Sequence, residues 1–394
     1  MKQYQINCFL ITILVSFYTI LGSAITISHG PYLQNVYERE ATIVWISDKP
    51  SIGWVELAPN DSTNFYAISR QKFYDTTIGI KRTSCIHSVR LTGLTSGTTY
   101  RYRVYAKEVF AHKDFGGRYG DIAATNVFTE KPLTFTTCDQ NKPETSFAIL
   151  NDVHERANIM EPLLNYANYK DKDMIIFNGD MINSFPNDSV IYKGFLDTAV
   201  RLFAQEKPLY YVRGNHETRG KYAEKFQEYF CPRQPHLYFT WRQGPIFFIA
   251  LDTGEDKPDD DIEYYGFNNF DQYRTEEANW LEKVVQSAEY RQARFHVVIG
   301  HIPPAISPSA WHGEIEVRNK FVPILNKVGI DIMLCGHLHR FRYTPSSNSI
   351  HFPILVNSNN SCLFGEVNND ELKLQIVDIK GHEIFNKSIY VKRN

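Results

Sequence analysis

The sequence predicts a chain of two domains, an N-terminal β-sandwich followed by an α/β domain. Three observations predict it. The 394 residues are too many for one ordinary core and suit two domains plus a leader. From Ile25 to about Cys138 the apolar residues come in short strand-like runs, most of them alternating with period two. From Ser146 onward, short unbroken apolar runs alternate with stripes at helical spacing. Between the two lies a polar stretch with a proline, Asp139 to Thr145 (DQNKPET), which reads as a linker.

Residues 1–24 have the layout of a signal peptide. Lys2 supplies a positive start, and Cys8 to Leu21 (CFLITILVSFYTIL) is an uncharged, mostly apolar run. Gly22, Ser23 and Ala24 then offer the small residues a signal peptidase accepts. A retained anchor is the rival, because the run approaches the length that spans a bilayer. The small residues favour cleavage, so the expected location is extracytoplasmic, periplasmic or secreted, with no membrane attachment afterwards. Five of the six cysteines lie beyond the leader: Cys85, Cys138, Cys231, Cys335 and Cys362. Their wide, irregular spacing argues against a disulfide framework and leaves at most one unassigned bridge.

Residues 25–138 supply the sandwich. Ala41 to Ile46 (ATIVWI) is apolar and β-branched, and Gly53 to Leu57 (GWVEL) alternates. His87 to Leu91 (HSVRL) also alternates and runs into a Gly- and Thr-rich turn, and Tyr100 to Tyr105 (YRYRVY) alternates again before Leu133 to Thr137 closes the set. Trp45 and Trp54 are expected in its core. Residues 146–394 supply the α/β domain. Its apolar runs are Phe147 to Leu150, Met174 to Phe177, Leu209 to Val212, Ile246 to Leu251, His296 to Ile299 and Ile332 to Leu334. Helical stripes lie between them at Met160/Leu163/Leu164/Ala167, Leu281/Val284/Val285/Ala288 and Val317/Phe321/Ile324/Val328. Further strands are expected at Phe352 to Val356, Leu372 to Ile379 and Ile384 to Val391.

Five of the apolar runs end in polar residues of a particular kind. Phe147 to Leu150 leads into Asn151-Asp152-Val153-His154, Met174 to Phe177 into Asn178-Gly179-Asp180, and Leu209 to Val212 into Arg213-Gly214-Asn215-His216-Glu217. His296 to Ile299 leads into Gly300-His301, and Ile332 to Leu334 into Gly336-His337-Leu338-His339. Ligands of open α/β sheets collect at the carboxyl ends of the strands, so the five are expected to deliver these residues to one sheet edge. Two Asp, one Asn and four His, with no thiolate, suit iron, manganese, zinc or cobalt better than calcium. Seven ligands exceed the need of one tetrahedral ion and fit two ions that share a carboxylate. Glycines before several of them allow sharp turns and close approach.

The ordered set DxH, GD, GNHE, GH and GHxH, from about Ser146 to His339, resembles the calcineurin-like metallophosphoesterase family. That resemblance implies two metal ions, Asp152, His154 and His339 holding one, Asn215, His301 and His337 the other, and Asp180 bridging them. It implies His216 as the catalytic acid and hydrolysis of a phosphomonoester by a hydroxide between the ions. Gly30-Pro31-Tyr32-Leu33-Gln34 resembles the opening of the domain that precedes the catalytic unit of purple acid phosphatases, and Leu91 to Tyr102 (LTGLTSGTTYRY) resembles a fibronectin type III turn and strand. By analogy with those phosphatases, His312 is expected to touch the phosphate or leaving group. The chain departs from the family in two places. Asn151 stands where a glycine is frequent, and Asn183 stands where purple enzymes carry the iron-binding tyrosine of GDxxY. With His154 also present, the metal-loaded protein is expected to be colourless.

Composition narrows the partners. The net charge is -2 and the basic residues are scattered, so a nucleic-acid track is not expected; a small phosphate ester is. Glu217 is expected to buttress the site, Cys335 to be a buried hydrophobe, and the acidic stretch Glu255 to Glu263 to be a solvated loop. The rivals are a phosphodiesterase or pyrophosphohydrolase using the same site, and a non-catalytic surface binding protein, which has no need of seven ligands kept together.

Overall fold

The computed structural model describes residues 23–391 except Asp114 and Tyr265. Most of the expected signal peptide, and Cys8, lie outside the described residues. No helix among the described residues is long and apolar enough to cross a membrane.

The first domain is antiparallel β throughout. Its long central strand, β1 (Glu40–Pro59), covers both of the runs expected at Ala41 and Gly53. The first half pairs with Ile27–Gln34 and Ser84–Thr92, the second half with Gln71–Tyr74 and Thr99–Lys113, so one strand serves both layers. Alternation then directs Ile43, Trp45, Val55, Val89, Val104 and Phe135 into a common core. Trp45 and Trp54 are both buried, as expected.

The second domain holds two six-stranded sheets, where the strand-end argument anticipated one edge. One sheet contains the parallel strands β2 (Thr145–Leu150), β3 (Met174–Asn178) and β4 (Leu209–Val212), continued by the antiparallel tail strands. The other contains the parallel strands β5 (Ile246–Leu251), β6 (Phe295–Gly300), β7 (Ile332–Cys335) and β8 (Ile354–Val356). Odd and even positions explain the layering. Phe147, Ile149 and Ile176 meet Phe248, Val297, Ile299 and Leu334 between the sheets. Ala148, Ile175 and Phe177 face the helical segment 189–204 on one outer side. Phe247, Ile249, Val298 and Met333 face the helices Phe270–Val284, His312–Lys320 and Val322–Val328 on the other. The result is helix, sheet, sheet, helix, with the carboxyl ends of five parallel strands from two sheets pointing to one cleft. Periodicity reveals that a strand is buried on both faces, but not which strand lies beside it, and so one edge became two.

The domains share buried surface. Tyr32, Val44 and Ile46 belong to the same apolar cluster as Phe195, Leu209, Tyr211 and Phe230. The Tyr102 hydroxyl donates to the Gln205 carbonyl at 2.6 Å, and the Tyr32 hydroxyl to the Tyr229 carbonyl at 2.8 Å. The segment expected as a linker is tied down too, the Asp139 amide donating to Gln243 Oε1 at 2.8 Å. All five cysteines among the described residues are free.

Candidate metal centre

Each of the seven candidate ligands leaves a strand end by a turn that the local sequence dictates. Five of them, Asp152 (φ 53°), His154 (φ 48°), Asp180 (φ 55°), His337 (φ 70°) and His339 (φ 54°), hold left-handed backbone themselves. Non-glycine residues rarely sit there, and such strain persists only where the surroundings over-determine it, typically at functional sites. The glycines serve mainly to give room. Only Gly179 among the four has positive φ; a Cβ on Gly214 would collide with Asp180 and Glu217, and one on Gly336 would lie 2.8 Å from Asp152 Oδ2.

The side chains converge. Asp152, His154, Asp180 and His339 bring ligand atoms within 4.8 Å of one another, and Asp180, His301 and His337 form a second such group. Asp180 belongs to both. Asn215 Oδ1 lies 3.2 Å from His337 Nδ1 and so joins the second group. Within the first, His154 Nε2 faces His339 Nε2 at 3.0 Å, and Asp152 Oδ1 is 3.2 Å from His339 Nε2. His301 Nε2 is 3.0 Å from Asp180 Oδ2 and 3.8 Å from Asp152 Oδ1.

Neighbouring groups aim these ligands. The His301 Nδ1–H donates to the Asn178 carbonyl at 2.7 Å, which turns Nε2 into the cleft. Glu217, fully buried, accepts from the amides of Asp180 (2.9 Å), Met181 (2.8 Å) and Gly214 (2.9 Å) and from the Tyr211 hydroxyl (2.8 Å). It thereby clamps two ligand loops together, the buttress the sequence suggested. Burial, with Asp180 nearby, raises its pKa. Asn151 donates to Asp152 Oδ2 at 2.6 Å and exchanges hydrogen bonds with Asn357. The side chain found in place of the frequent glycine therefore orients a ligand.

Electrostatics shows what the cleft demands. Burial opposes protonation of His301, yet the carboxylates of Asp180 and Asp152 outweigh it and lift its pKa to about 10. Burial, then the nearby His301, pushes His337 down to about 4. The Asp152 carboxylate raises His339, and burial lowers His154. Asp152 Oδ1 and His301 Nε2 are buried in ion-pair contact with His339 and Asp180 but make no well-aligned hydrogen bond. Two carboxylates and several imidazole lone pairs aimed at one space call for positive charge. The donor set fits metal cations.

His216 sits at the rim. Its Nδ1 bonds the Asn183 carbonyl at 2.6 Å, and its Nε2 lies 3.1 Å from Arg219 Nη1 and 3.9 Å from Asp180 Oδ2. Arg219 is in turn held by Glu255 and Asp256. These two acids are buried, a correction to the solvated loop expected from Glu255 onward; the cation of Arg219 makes their burial tolerable. Burial and hydrogen bonding to Glu255 push Asp256 up to about 7. His312 is not brought to the cleft. It begins a helix, and its Nε2 lies 2.8 Å from Asp271 Oδ1, in a separate cluster with Glu316. Asn357, Arg219 and the Asn178 carbonyl escaped sequence reasoning. Asn357 carried a usable side-chain signal, since it follows the apolar run Phe352 to Val356 as the ligands follow theirs; Asn178 follows one too, but acts through its backbone carbonyl.

A four-layer core with a shared-carboxylate His/Asp cluster at its strand ends defines a metal-dependent phosphoesterase. The model of the calcineurin-like phosphoesterases matches residues 145–341 and that of the purple acid phosphatase N-terminal domain matches residues 30–117. The chain belongs to the calcineurin-like phosphoesterase family. Over 231 residues it is 22% identical to the serine/threonine-protein phosphatase CPPED1 of Mus musculus, covering 57% of this chain and 69% of that one. It is 23% identical over 175 residues to the Danio rerio protein of the same name, covering 42% and 53%. Among solved structures it is similar to a dimetal phosphatase from Danio rerio, with 11% identity, a TM-score of 0.45, and 64% of this chain and all of the other covered.

Proposed function

We propose that the protein is an exported hydrolase of small phosphomonoesters that works with two metal ions. Asp152, His154 and His339 would hold one ion, Asn215, His301 and His337 the other, and Asp180 both. The observation that carries this is the double membership of Asp180, a buried carboxylate common to two groups of convergent ligands. Iron, manganese and zinc all suit the donor set. When bound, such ions supply Lewis-acid polarisation of the phosphate and an activated water.

The remaining chemistry belongs to the chain. Glu217 and Asn151 fix the ligand loops before substrate arrives, so that little reorganisation is left for the reaction. His216 stands at the rim with about a quarter of its side chain exposed, where it can hand a proton to the departing oxygen. The Asn183 carbonyl accepts from Nδ1–H and fixes the ring; Nε2, which here accepts an N–H of Arg219, must leave that contact and take up a proton before it can donate one. His312 is left out of this mechanism because its Nε2 faces Asp271 in a group separate from the seven ligands. The leader at residues 1–24 supports export, and the scattered basic residues favour a small substrate over nucleic acid.

Elemental analysis with a phosphate-release assay on matched mono- and diesters tests the reading. It expects two metal equivalents and monoester turnover that a chelator removes. Turnover confined to the diester would replace it with the phosphodiesterase alternative, and chelator-insensitive behaviour would sink it.

A further inference from the structure

A cavity of about 700 Å³ opens beside His216, and Arg219, Lys221, Tyr264, Phe267 and Phe270 help to line it. Arg219 joins it to the metal centre, its Nη1 lying 3.1 Å from His216 Nε2 and its guanidinium 5.2 Å from the Tyr264 ring. The aromatic wall comes from the insertion between β5 and the helix Phe270–Val284. That insertion is anchored where it meets the helix. Asp259 accepts from the amides of Phe270 (2.8 Å) and Asp271 (3.0 Å), and the Tyr264 hydroxyl donates to Glu263 at 2.8 Å. Phe267 nevertheless stands 93% exposed, so it does not serve the core. Large rings gathered on the rim of a catalytic cleft are characteristic of ligand pockets.

We propose that this cavity receives the leaving group of the phosphoester, and that it prefers a leaving group bearing a planar aromatic ring. The inference rests on the reading of His216 as the group facing the departing oxygen. Two observations select a ring over a second anion. The charges of Arg219 and Arg213 are already met by Glu255, Asp256 and Asp252, and the remaining lining cation, Lys221, is balanced by Glu224 in the same lining. Arg219 and Lys257 already lie over the Tyr264 ring, so the flat surface still open is mainly that of Phe267, on which a ring gains more than an alkyl chain of equal length.

The test is calorimetric binding of benzylphosphonate and butylphosphonate, matched in charge, to the manganese-loaded protein. A second pair, the methylene phosphonate isosteres of adenosine 5′-monophosphate and ribose 5-phosphate, separates a nucleobase from a simple aryl ring. The ring-bearing member of at least one pair should bind about tenfold more tightly. Phe267→Ala should erase most of that preference, weakening benzylphosphonate several-fold more than butylphosphonate. Because Phe267 is exposed, the variant should fold as the parent does. Equal binding within both pairs overturns the inference, as does a preference that survives Phe267→Ala combined with Tyr264→Ala. Failure of the underlying reading looks different: ring-selective binding without phosphate release from benzyl phosphate would keep the cavity assignment and remove the phosphomonoesterase.

Discussion

Two regions of this molecule bury a histidine among polar side chains, and only one of the two gathers several carboxylates and imidazoles on one space. In the β domain, His87 is fully buried, with Nε2 2.7 Å from Ser51 Oγ and Nδ1 3.7 Å from Asp75 Oδ2, and its ring packs on Trp45. Serine, histidine and aspartate together have the composition of a nucleophilic triad. Yet the cluster has one carboxylate for one imidazole, Arg82 also pairs with Asp75, and none of its members has positive φ. In the cleft, two buried carboxylates and four imidazoles converge on one space across a backbone strained at five positions. The difference teaches that burial of polar groups does not mark a function. Several metal-ligating side chains converging from a strained backbone do.

The contrast can be broken by mutation, most drastically at the shared carboxylate. Asp180→Ala should lower phosphate release at least roughly a thousandfold, since the ions supply several kcal/mol and each 1.4 kcal/mol is about tenfold. Metal analysis of the folded variant should show stoichiometry falling in step; two retained ions would break the comparison. Glu217→Ala removes the acceptor of four buried amides, those of Asp180, Met181, Ile182 and Gly214. Metal titration should show affinity weakened by about 10- to 100-fold, and urea denaturation a stability loss of a few kcal/mol, roughly the cost of amides left unpaired. His87→Ala should show the opposite profile, with about 2–3 kcal/mol of stability lost in thermal unfolding and kcat/KM unchanged. An activity loss at matched folding would make the sandwich cluster part of the machinery. Asn151→Gly, which restores the frequent residue, should have the smallest effect, a drop in metal affinity of no more than about tenfold.

Much of this was legible because the signals were local strings. A ligand that follows an apolar run within one or two residues is visible in one dimension, and the seven candidates were all found that way. The same rule, applied to Phe352 to Val356, reaches Asn357. Partner choice was not legible. Nothing in the spelling of Glu255 and Asp256 says that Arg219 will neutralise them, and their chain distance from it exceeds thirty residues. Nor does the distance of His312 beyond His301 say which way it faces; the helix it begins turns it to Asp271. The stripe from Val317 to Val328 read as one helix but forms two, with Pro323 in the first turn of the second. The segment 189–204 carries apolar residues on more than one face and gave no clean stripe.

The apolar seam between the domains bears on how the chain can be divided. A fragment beginning near residue 146 would carry the whole constellation of ligands, yet it would turn Phe195, Leu209, Tyr211 and Phe230 toward water where Tyr32, Val44 and Ile46 now cover them. Such a truncation should be sticky and short-lived in solution however complete its chemistry.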